Sequence, residues 1–311
     1  NVHHRLLRTK TLRAAKHFFL DTQCGGLPGR GTDIASHLHT LMQDFADSTG
    51  CSDAALYIDV TAAFDSLDRD FYLATGQPYC LFTAAGIPSQ LAELLQEALR
   101  DTWMSTSGVA SICSTRRGSR PGTSLGDLLY VIVMSKMSRE IVEELTQEDL
   151  LTVLSYDGTR SILPKEADHR VAITATSYVD DDMHFLCDGS PQRLIDKLSR
   201  VSTIVFNAYA RHHLPVNHGP NKTATLLRLR GSGAKQLKQT IYSCVPPALS
   251  VQCVTGPVRL KVVQMFTYLG SLATTNRASC AEARRRSTLA RSELQTIATK
   301  VLSNTHTPLQ H

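Results

Sequence analysis

The residues best suited to chemistry are three consecutive carboxylates, Asp180, Asp181 and Asp182, in the stretch SYVDDDMHFL. Like charges at this spacing repel one another, so either their pKa values rise or a cation neutralises them. Mg²⁺, a hard cation that prefers oxygen ligands, suits such a group. An acidic run is more often only a solvated loop, so a metal site needs a further acid from elsewhere in the chain.

Asp59, about 120 residues upstream, is the candidate for that further acid. It follows the apolar residues LYI in LYIDV, a short pattern typical of a buried strand, at a position where a purely structural strand does not need a carboxylate. The alternative is an acid that closes the strand and caps the following helix, a role that suits Asp65 and Asp68 better. Together, Asp59 and the acidic run predict a metal site built from two strands.

The elements that must position these acids follow from hydrophobic spacing. VAITATSY and MHFLC predict two strands, which place the acids at a hairpin tip. PVRLKV and TYLGSL predict further strands of the same sheet. Thr146–Arg170 has the weakest pattern and predicts a long surface loop or insertion. Hydrophobic spacing predicts helices over Ile34–Phe45, Leu194–Tyr209 and Ala290–Leu302. A fourth helix should begin at Pro88–Ser89. A fifth, buried helix should begin with a capping box formed by Ser124 and Asp127.

Composition limits the class of protein. A chain of 311 residues with 42% hydrophobic content can bury a large core, and its length predicts two or three lobes. Neither a signal peptide nor an apolar run of about 20 residues is visible, so we expect a fragment of a longer protein without a membrane partner. The eight cysteines contain no C-x-x-C pair, which predicts reduced, mostly buried thiols and no zinc module.

Basic residues are clustered although the net charge is only +5. Such clusters favour a polyanionic partner, and each alone is also typical of a solvated face. In the last predicted helix the arginines stand at the N-terminal end and oppose the helix dipole, so we expect them to serve a ligand. The clusters are Arg116, Arg117 and Arg120; Arg228 and Arg230; and Arg284, Arg285, Arg286 and Arg291.

The order of these features resembles the reverse transcriptases. Motifs similar to their palm motifs A, B, C, D and E follow one another over roughly residues 20 to 300. QCGGLPGRGTDIASHL also resembles the fingers segment that precedes motif A in non-LTR, LINE-type retrotransposons. The five matching stretches are Asp59–Phe64, GSRPGTSLGDLLY, YVDD, PVNHGPNKT and YLG.

The resemblance implies an α+β, right-hand polymerase fold. Its palm would be an antiparallel sheet packed on helices, with partial fingers and the start of a thumb. The implied boundaries are fingers at 1–50, palm with motif A at 51–66, fingers at 67–117, palm with motifs B, C and D at 118–265, and motif E with the start of the thumb at 266–311.

The resemblance also implies a two-metal site. Asp59 and Asp180 would bridge two Mg²⁺ ions, with Mn²⁺ as a substitute, the Val60 carbonyl would complete one shell, and Asp181 would assist. Asp182 has no counterpart in the family, and we expect it to be exposed or to stabilise the turn. A register shifted by one residue, with Asp181 and Asp182 as the pair, remains open.

Four further residues acquire substrate roles from the resemblance. Phe64 would abut the sugar and exclude a 2′-hydroxyl, or else pack in the core. Gly122 would let the backbone approach the incoming nucleotide, or else form an ordinary turn at a helix start. Arg120 would touch template phosphate, and Arg30 would supply part of a triphosphate clamp.

The remaining implied contacts concern the leaving group, primer and template. Lys222 would protonate pyrophosphate as a general acid, or else be a solvated loop lysine. Tyr268 and Gly270 would form the primer grip, and Arg284, Arg285 and Arg286 would hold the duplex backbone.

The resemblance predicts an RNA-directed DNA polymerase, with an RNA template, a DNA primer and deoxynucleotides as partners. Its expected location is inside a eukaryotic cell, in the nucleus or the cytoplasm. Two alternatives remain. The first is a decayed or truncated copy that only binds nucleic acid. The second is a related RNA-directed RNA polymerase or a maturase-like relative, which Phe64 disfavours.

Overall fold

The computed structural model describes residues 2–73, 81–100, 102–105, 107–108, 111–119, 123–156, 169–173, 175–277, 279–298 and 300. Its helices are α1 (Val2–Ala14), α2 (Thr32–Thr49), α3 (Ala63–Ser66), α4 (Arg69–Leu73), α5 (Leu81–Ala84), α6 (Ser89–Leu99), α7 (Ser124–Gln147), α8 (Pro191–Arg211), α9 (Ala234–Tyr242) and α10 (Ser279–Ile297). Its strands are β1 (Ser52–Ile58), β2 (Thr102–Ser105), β3 (Ile112–Thr115), β4 (Val153–Tyr156), β5 (His169–Ala172), β6 (Ala175–Tyr178), β7 (Asp181–Asp188), β8 (Ala224–Arg228), β9 (Ala248–Cys253), β10 (Gly256–Val263), β11 (Met265–Tyr268) and β12 (Ser271–Thr274).

Six strands form the main sheet in the order β6-β7-β1-β8-β10-β9. β1 pairs antiparallel with both β7 and β8, whereas β8 and β10 run parallel. The parallel pair arises because α9 and β9 carry the chain back before β10 begins, a crossover that parallel strands require. The chain is therefore a mixed α/β protein with a mixed sheet, in which four of the five strand pairings are antiparallel, as predicted, and the pairing of β8 with β10 is parallel.

The core lies on both faces of β1, each of whose residues is buried. Leu56 and Ile58 pack in the larger apolar cluster, which also contains residues of α7 and α8. Ala55 and Tyr57 point to the opposite face and pack in a second cluster with Met42 of α2. Such two-sided burial explains why LYI is apolar without interruption and makes β1 a rigid base for whatever follows it.

The predicted helices are found, with changes at their ends. α7 is buried almost all round, as predicted, but its N-cap is Thr123, whose Oγ1 accepts a hydrogen bond from Gly126 N at 3.1 Å. The predicted capping box at Ser124 is therefore wrong by one residue. The last helix starts at Ser279, well before the predicted Ala290.

Two strand predictions need correction. Val171–Tyr178 is divided between β5 and β6, and β5 pairs with β4, so the segment predicted as a long loop contains a strand. Thr267–Leu272 does not continue the main sheet, because β11 turns back on β12 in a separate hairpin. Its two turn residues, Leu269 and Gly270, have φ angles of 47° and 78°, the left-handed values of a tight two-residue turn.

Seven cysteines lie among the described residues, and all are free thiols, as predicted. The expectation that they are mostly buried is wrong, since only Cys24 of these seven is buried. Within the described part of the chain, no helix has both the length and the apolar character needed to cross a bilayer.

Candidate active site

Three carboxylates converge where β1 ends and β7 begins. Asp59 directly follows β1, Asp180 lies in the two-residue turn between β6 and β7, and Asp181 is the first residue of β7. Ile58 pairs with Asp182, so continuing the antiparallel register places Asp59 opposite Asp181. The structure thus brings together the acids that the sequence placed about 120 residues apart.

The hairpin that carries Asp180 is held by a glycine-rich segment near the N-terminus. Cys24 N donates to Ser177 O at 2.7 Å, which fixes this segment along β6. Gly25 lies so near the turn that a Cβ added to it would come within 2.2 Å of Val179 N. Val179 has a φ of 61°, an uncommon value for a β-branched residue that persists only where surrounding contacts impose it. Gly25 is therefore required by close packing against the acidic turn.

The loop before β8 holds Asp59 in place. Asn217 N donates to Asp59 O at 2.8 Å, and Asp59 N donates to Thr223 Oγ1 at 3.0 Å. The side chain of Asp59 has one partner, Lys222, whose Nζ lies 3.0 Å from Oδ1. Its other oxygen, Oδ2, is buried and has no hydrogen-bond partner among the described residues. The site therefore contains a buried carboxylate oxygen that lacks a cation or donor.

The Val60 carbonyl is oriented by a short bridge to the same loop. Val60 pairs with Val216, and the two hydrogen bonds of this bridge are Asn217 N to Asp59 O and Thr61 N to Pro215 O. In this antiparallel pattern the middle residue's own N–H and C=O point away from the partner strand. The Val60 carbonyl is thus turned away from the loop.

The electrostatics of the site are dominated by excess negative charge. Asp181 remains exposed, yet partial loss of hydration, together with the carboxylates of Asp180 and Asp59, raises its pKa to about 6. Burial raises the pKa of Asp180 as well, and the charge of Asp59 adds to this. Lys222 opposes both shifts with a single positive charge. Three carboxylates against one ammonium group leave a site that an added cation would stabilise.

In the part of the chain that the structure describes, no three or more His, Cys, Asp or Glu side chains are grouped closely enough to hold a metal ion. The convergence of Asp59, Asp180 and Asp181 is therefore not a closed ligand cage. Their fit to a cation rests instead on the unpartnered Asp59 Oδ2 and on the raised pKa values.

Asp182 corrects two of our expectations. It is 1% exposed, because successive residues of a strand point to opposite faces and its neighbour Asp181 faces the site. Tyr209 OH donates to Asp182 Oδ2 at 3.1 Å, and His184 Nε2 lies 3.2 Å from the same oxygen. Asp182 is thus neither exposed nor part of the turn, and the shifted pair of Asp181 and Asp182 does not share one face.

Phe64 lies beside the site and is half-buried. Its ring is 4.9 Å from that of the buried Tyr130 on α7, whose hydroxyl has no hydrogen-bond partner among the described residues. Ser119 N donates to Phe64 O at 2.7 Å, which fixes the residue against the segment before α7. Partial burial is compatible with core packing and with sugar contact alike. Arg120 and Gly122 lie outside the described residues.

Arg30 and Tyr268 have structural contacts that the sequence did not predict. The Arg30 guanidinium donates to Leu20 O and Gln23 O, so it closes the loop that supports the hairpin, and its contact with a triphosphate stays a prediction. Tyr268 is 4% exposed, and its hydroxyl donates to Thr176 O at 3.3 Å. The contact of Tyr268 and Gly270 with a primer stays a prediction, and of the two only Gly270 is exposed.

Two of the three consecutive arginines on α10 anchor that helix. Arg285 Nε and Arg286 Nε donate to the two oxygens of Glu282, at 2.8 and 2.5 Å. Hydrogen bonds from Arg285 and then from Arg286 lower the pKa of Glu282 to about 2. Arg285 also donates to Gly270 O. Arg285 and Arg286 thus have partners within the chain, Arg284 is exposed, and the contact of all three with a duplex backbone stays a prediction.

The cluster of Arg228 and Arg230 is likewise used internally. Arg228 Nε donates to both oxygens of Asp53, at 2.8 and 2.9 Å, and Arg230 pairs with Asp47. This cluster is therefore not a free basic patch. Acid partners about 175 residues away in sequence could not be identified from spacing.

Sequence reasoning missed Tyr130 and Thr223. Tyr130 belongs to LLY in a helix predicted only as buried, and its ring supports Phe64. Thr223 follows Lys222 in PNKT, a stretch noted for its lysine alone, and receives the Asp59 N–H. A polar residue directly beside a candidate catalytic lysine was the available signal.

No family model matches the chain, and no curated protein is similar to it in sequence. The likeness to reverse transcriptases consequently depends on the motifs and on the geometry of the residues that carry them.

Proposed function

We propose that this chain is the RNA-directed DNA polymerase domain of a non-LTR retroelement, with the right-hand fold and the subdomain boundaries described above. In this proposal it extends a DNA primer on an RNA template by nucleotidyl transfer. The observation that carries the proposal is the convergence of Asp59, Asp180, Asp181 and Lys222 where β1 ends and β7 begins.

Mg²⁺ is the proposed cofactor, and the residues that would hold it are Asp59, Asp180, Asp181 and the carbonyl of Val60. Two bound ions would stabilise the attacking and leaving oxygens of an in-line displacement. The chain supplies oxygen ligands only, which suits Mg²⁺ and its substitute Mn²⁺.

Lys222 is the proposed general acid. It donates from Nζ to Asp59 Oδ1 at 3.0 Å and remains about half exposed, so a proton on this nitrogen is close to the carboxylates and accessible from solvent. Transfer of that proton would lower the negative charge of the pyrophosphate by one as it leaves.

Phe64 is the proposed sugar selector. Its ring is braced by Tyr130, so it can resist displacement by a 2′-hydroxyl. Replacing a rigid aromatic wall by a smaller side chain would remove that steric exclusion and admit ribonucleotides.

The first test is deoxynucleotide incorporation on an RNA template with an annealed DNA primer in Mg²⁺. We expect extension by the wild-type chain and a loss of at least about 100-fold in Asp180→Asn and Asp59→Asn. Asp196→Asn is the matched control, because Asp196 is an exposed carboxylate on α8 outside the site. Equal extension by Asp180→Asn and wild type would disprove the assignment. Duplex binding without extension by any of these proteins would favour the copy that only binds nucleic acid.

The second test separates the related polymerases. Phe64→Val should raise ribonucleotide incorporation relative to deoxynucleotide incorporation. Phe18→Val is the control and should leave this ratio unchanged, because Phe18 is a half-buried phenylalanine in the N-terminal part of the chain. A wild-type preference for ribonucleotides would instead assign the chain to the RNA-directed RNA polymerases.

A further inference from the structure

The hairpin of β2 and β3 has one anchored face. Arg69, which is 3% exposed, donates from Nη1 to Leu99 O and to Thr102 Oγ1, and from Nη2 to Thr115 Oγ1 at 2.9 Å. Thr102 and Thr115 are cross-strand partners, and their hydroxyls also contact each other. This buried guanidinium fixes the base of the hairpin and so fixes the direction of its opposite face.

The opposite face presents large apolar side chains to solvent. Because residues alternate along a strand, Trp103 points away from Thr102, and Ile112 stands diagonally across from it on the same face. Trp103 is 62% exposed and Ile112 is 68% exposed. Trp103 is also the chain's single tryptophan. Leaving an indole in water forgoes one of the largest apolar burials that a side chain offers, so its exposure is not explained by folding stability.

Three arginines lie at the foot of this hairpin, which is the end formed by Thr102 and Thr115 and lies away from the turn. Arg100 precedes β2, and Arg116 and Arg117 follow β3, so the pairing of Thr102 with Thr115 brings all three to the same end. Each is exposed, and none makes an ion pair with another residue that the structure describes. An exposed indole beside several guanidinium groups is the combination that binds single-stranded nucleic acid, with the ring stacking on a base and the cations contacting phosphate.

The foot of the hairpin is close to the candidate active site. Ser119, whose N–H is bonded to Phe64 O at 2.7 Å, lies only four positions after Thr115, the end of β3. Four residues span at most about 14 Å. Nucleotides in a stacked strand advance about 3.4 Å each, so this distance corresponds to roughly four nucleotides.

We propose that the outer face of the β2–β3 hairpin binds the unpaired template strand, with Trp103 stacked on a base and Arg100, Arg116 and Arg117 on its phosphates. The assignment of that strand as template rests on the proposed function. A protein partner is disfavoured, because two apolar side chains are far smaller than the roughly 800 Å² that each partner buries in a stable protein interface.

The test uses the intrinsic fluorescence of Trp103, which reports from this hairpin alone. Single-stranded RNA and a primer–template with a 5′ template overhang should both quench the emission, whereas a blunt duplex of equal length should leave it nearly unchanged. Trp103→Ala should weaken binding of the overhang substrate by about 5- to 150-fold, the equivalent of roughly 1–3 kcal/mol per stacked base. Trp103→Phe should retain most of the affinity.

Two control variants distinguish base stacking from nonspecific apolar contact and from electrostatic contact. Ile112→Ala should change the affinity less than twofold, since an aliphatic group does not stack on a base. Arg116→Ala should reduce the slope of log affinity against log salt by about one. Equal losses of nucleic-acid affinity for Trp103→Ala and Ile112→Ala would show that general apolar contact, not stacking of the indole ring on a base, supplies the affinity, and would overturn the proposal.

The outcomes also distinguish this proposal from the proposed function. Quenching by overhang substrates without any primer extension would support the hairpin site while removing the polymerase assignment. Unchanged emission on binding of a substrate that the protein does extend would overturn the hairpin site alone. Quenching by blunt duplex as strong as by the overhang would also overturn it.

Discussion

Strand β1 has an aspartate near its start, Asp53, and another directly after its end, Asp59, and the charges around the two are balanced differently. Near its start, a network joins three aspartates to three arginines, including a buried pair of Asp53 and Arg228. After its end, three carboxylates meet one lysine. The charges of the first group balance, as in a structural ion-pair cluster, whereas the second group keeps an excess of negative charge. The network consists of Asp44, Asp47, Asp53, Arg228, Arg230 and Arg277.

The same contrast is visible in two carboxylates with similar pKa values. Burial raises the pKa of Asp53 to about 6, against the opposing effects of Arg228 and Arg230. The pKa of Asp181 is also raised to about 6, but there Asp180 and Asp59 add to the loss of hydration. A raised pKa alone does not identify a functional carboxylate, and the sign of the neighbouring charges makes the distinction.

The largest expected effect is the loss of Arg228. Arg228→Met leaves Asp53 buried without its main partner, and breaking a buried ion pair in this way typically costs about 3–5 kcal/mol of unfolding free energy. Urea denaturation measures it. Arg193→Met, which breaks the largely exposed pair with Asp188, is the control and should change stability by less than about 1 kcal/mol. A variant of Arg228 as stable as the wild type would remove the structural role assigned to this end of β1.

Lys222 should show the opposite balance of stability and activity. Lys222→Met removes a half-exposed partner of Asp59, so we expect a stability change below about 1 kcal/mol. Loss of a general acid should lower the extension rate about 100-fold. Single-turnover primer extension and urea denaturation, with Lys235→Met on α9 as the control, test this. A destabilised Lys222→Met with normal turnover would contradict it.

Binding of a cation should change the pKa of Asp181 and leave that of Asp53 unchanged. Bound Mg²⁺ is expected to lower the pKa of Asp181 by about one or more, because it offsets the repulsion from Asp180 and Asp59. The pKa of Asp53 should not move. Carboxyl-detected NMR titrations with and without Mg²⁺ measure both. Parallel shifts at the two residues would show that the two ends of β1 do not differ as described.

The smallest expected effect is a gain in stability from Asp181→Asn. The folded-state pKa of about 6 lies above the unfolded value of about 3.9, so folding is increasingly penalised as pH rises from about 4 to about 6. The penalty is absent below this range and complete above it. Solvent screening of this exposed group reduces the expected gain at pH 7 to about 1 kcal/mol. Urea denaturation at pH 4 and pH 7 should show the gain only at pH 7.

The positions of the acids at strand ends were predictable, because β-branched and apolar runs directly border Asp59 and Asp180. The role of Asp182 was not, since one step along a strand reverses the face and only the pairing register shows which face is the core. The partners of Arg228 and Arg230 were hidden for a different reason. Ion pairs between residues about 175 positions apart leave no local pattern in the sequence, so the clustered arginines were interpreted as a basic patch without partners in the chain.

The strand order has a consequence for synthesis of the protein. β1 occupies the middle of the sheet, yet the residues that pair with Ile58 and Tyr57, Asp182 and Ala224, follow it by more than 120 positions. At about 5–20 residues per second, a ribosome needs roughly 6 to 30 seconds to supply them. During that time β1 is an apolar strand with both edges unpaired, the condition in which nascent chains aggregate. We expect newly made chains to depend on chaperones until β8 has left the ribosome.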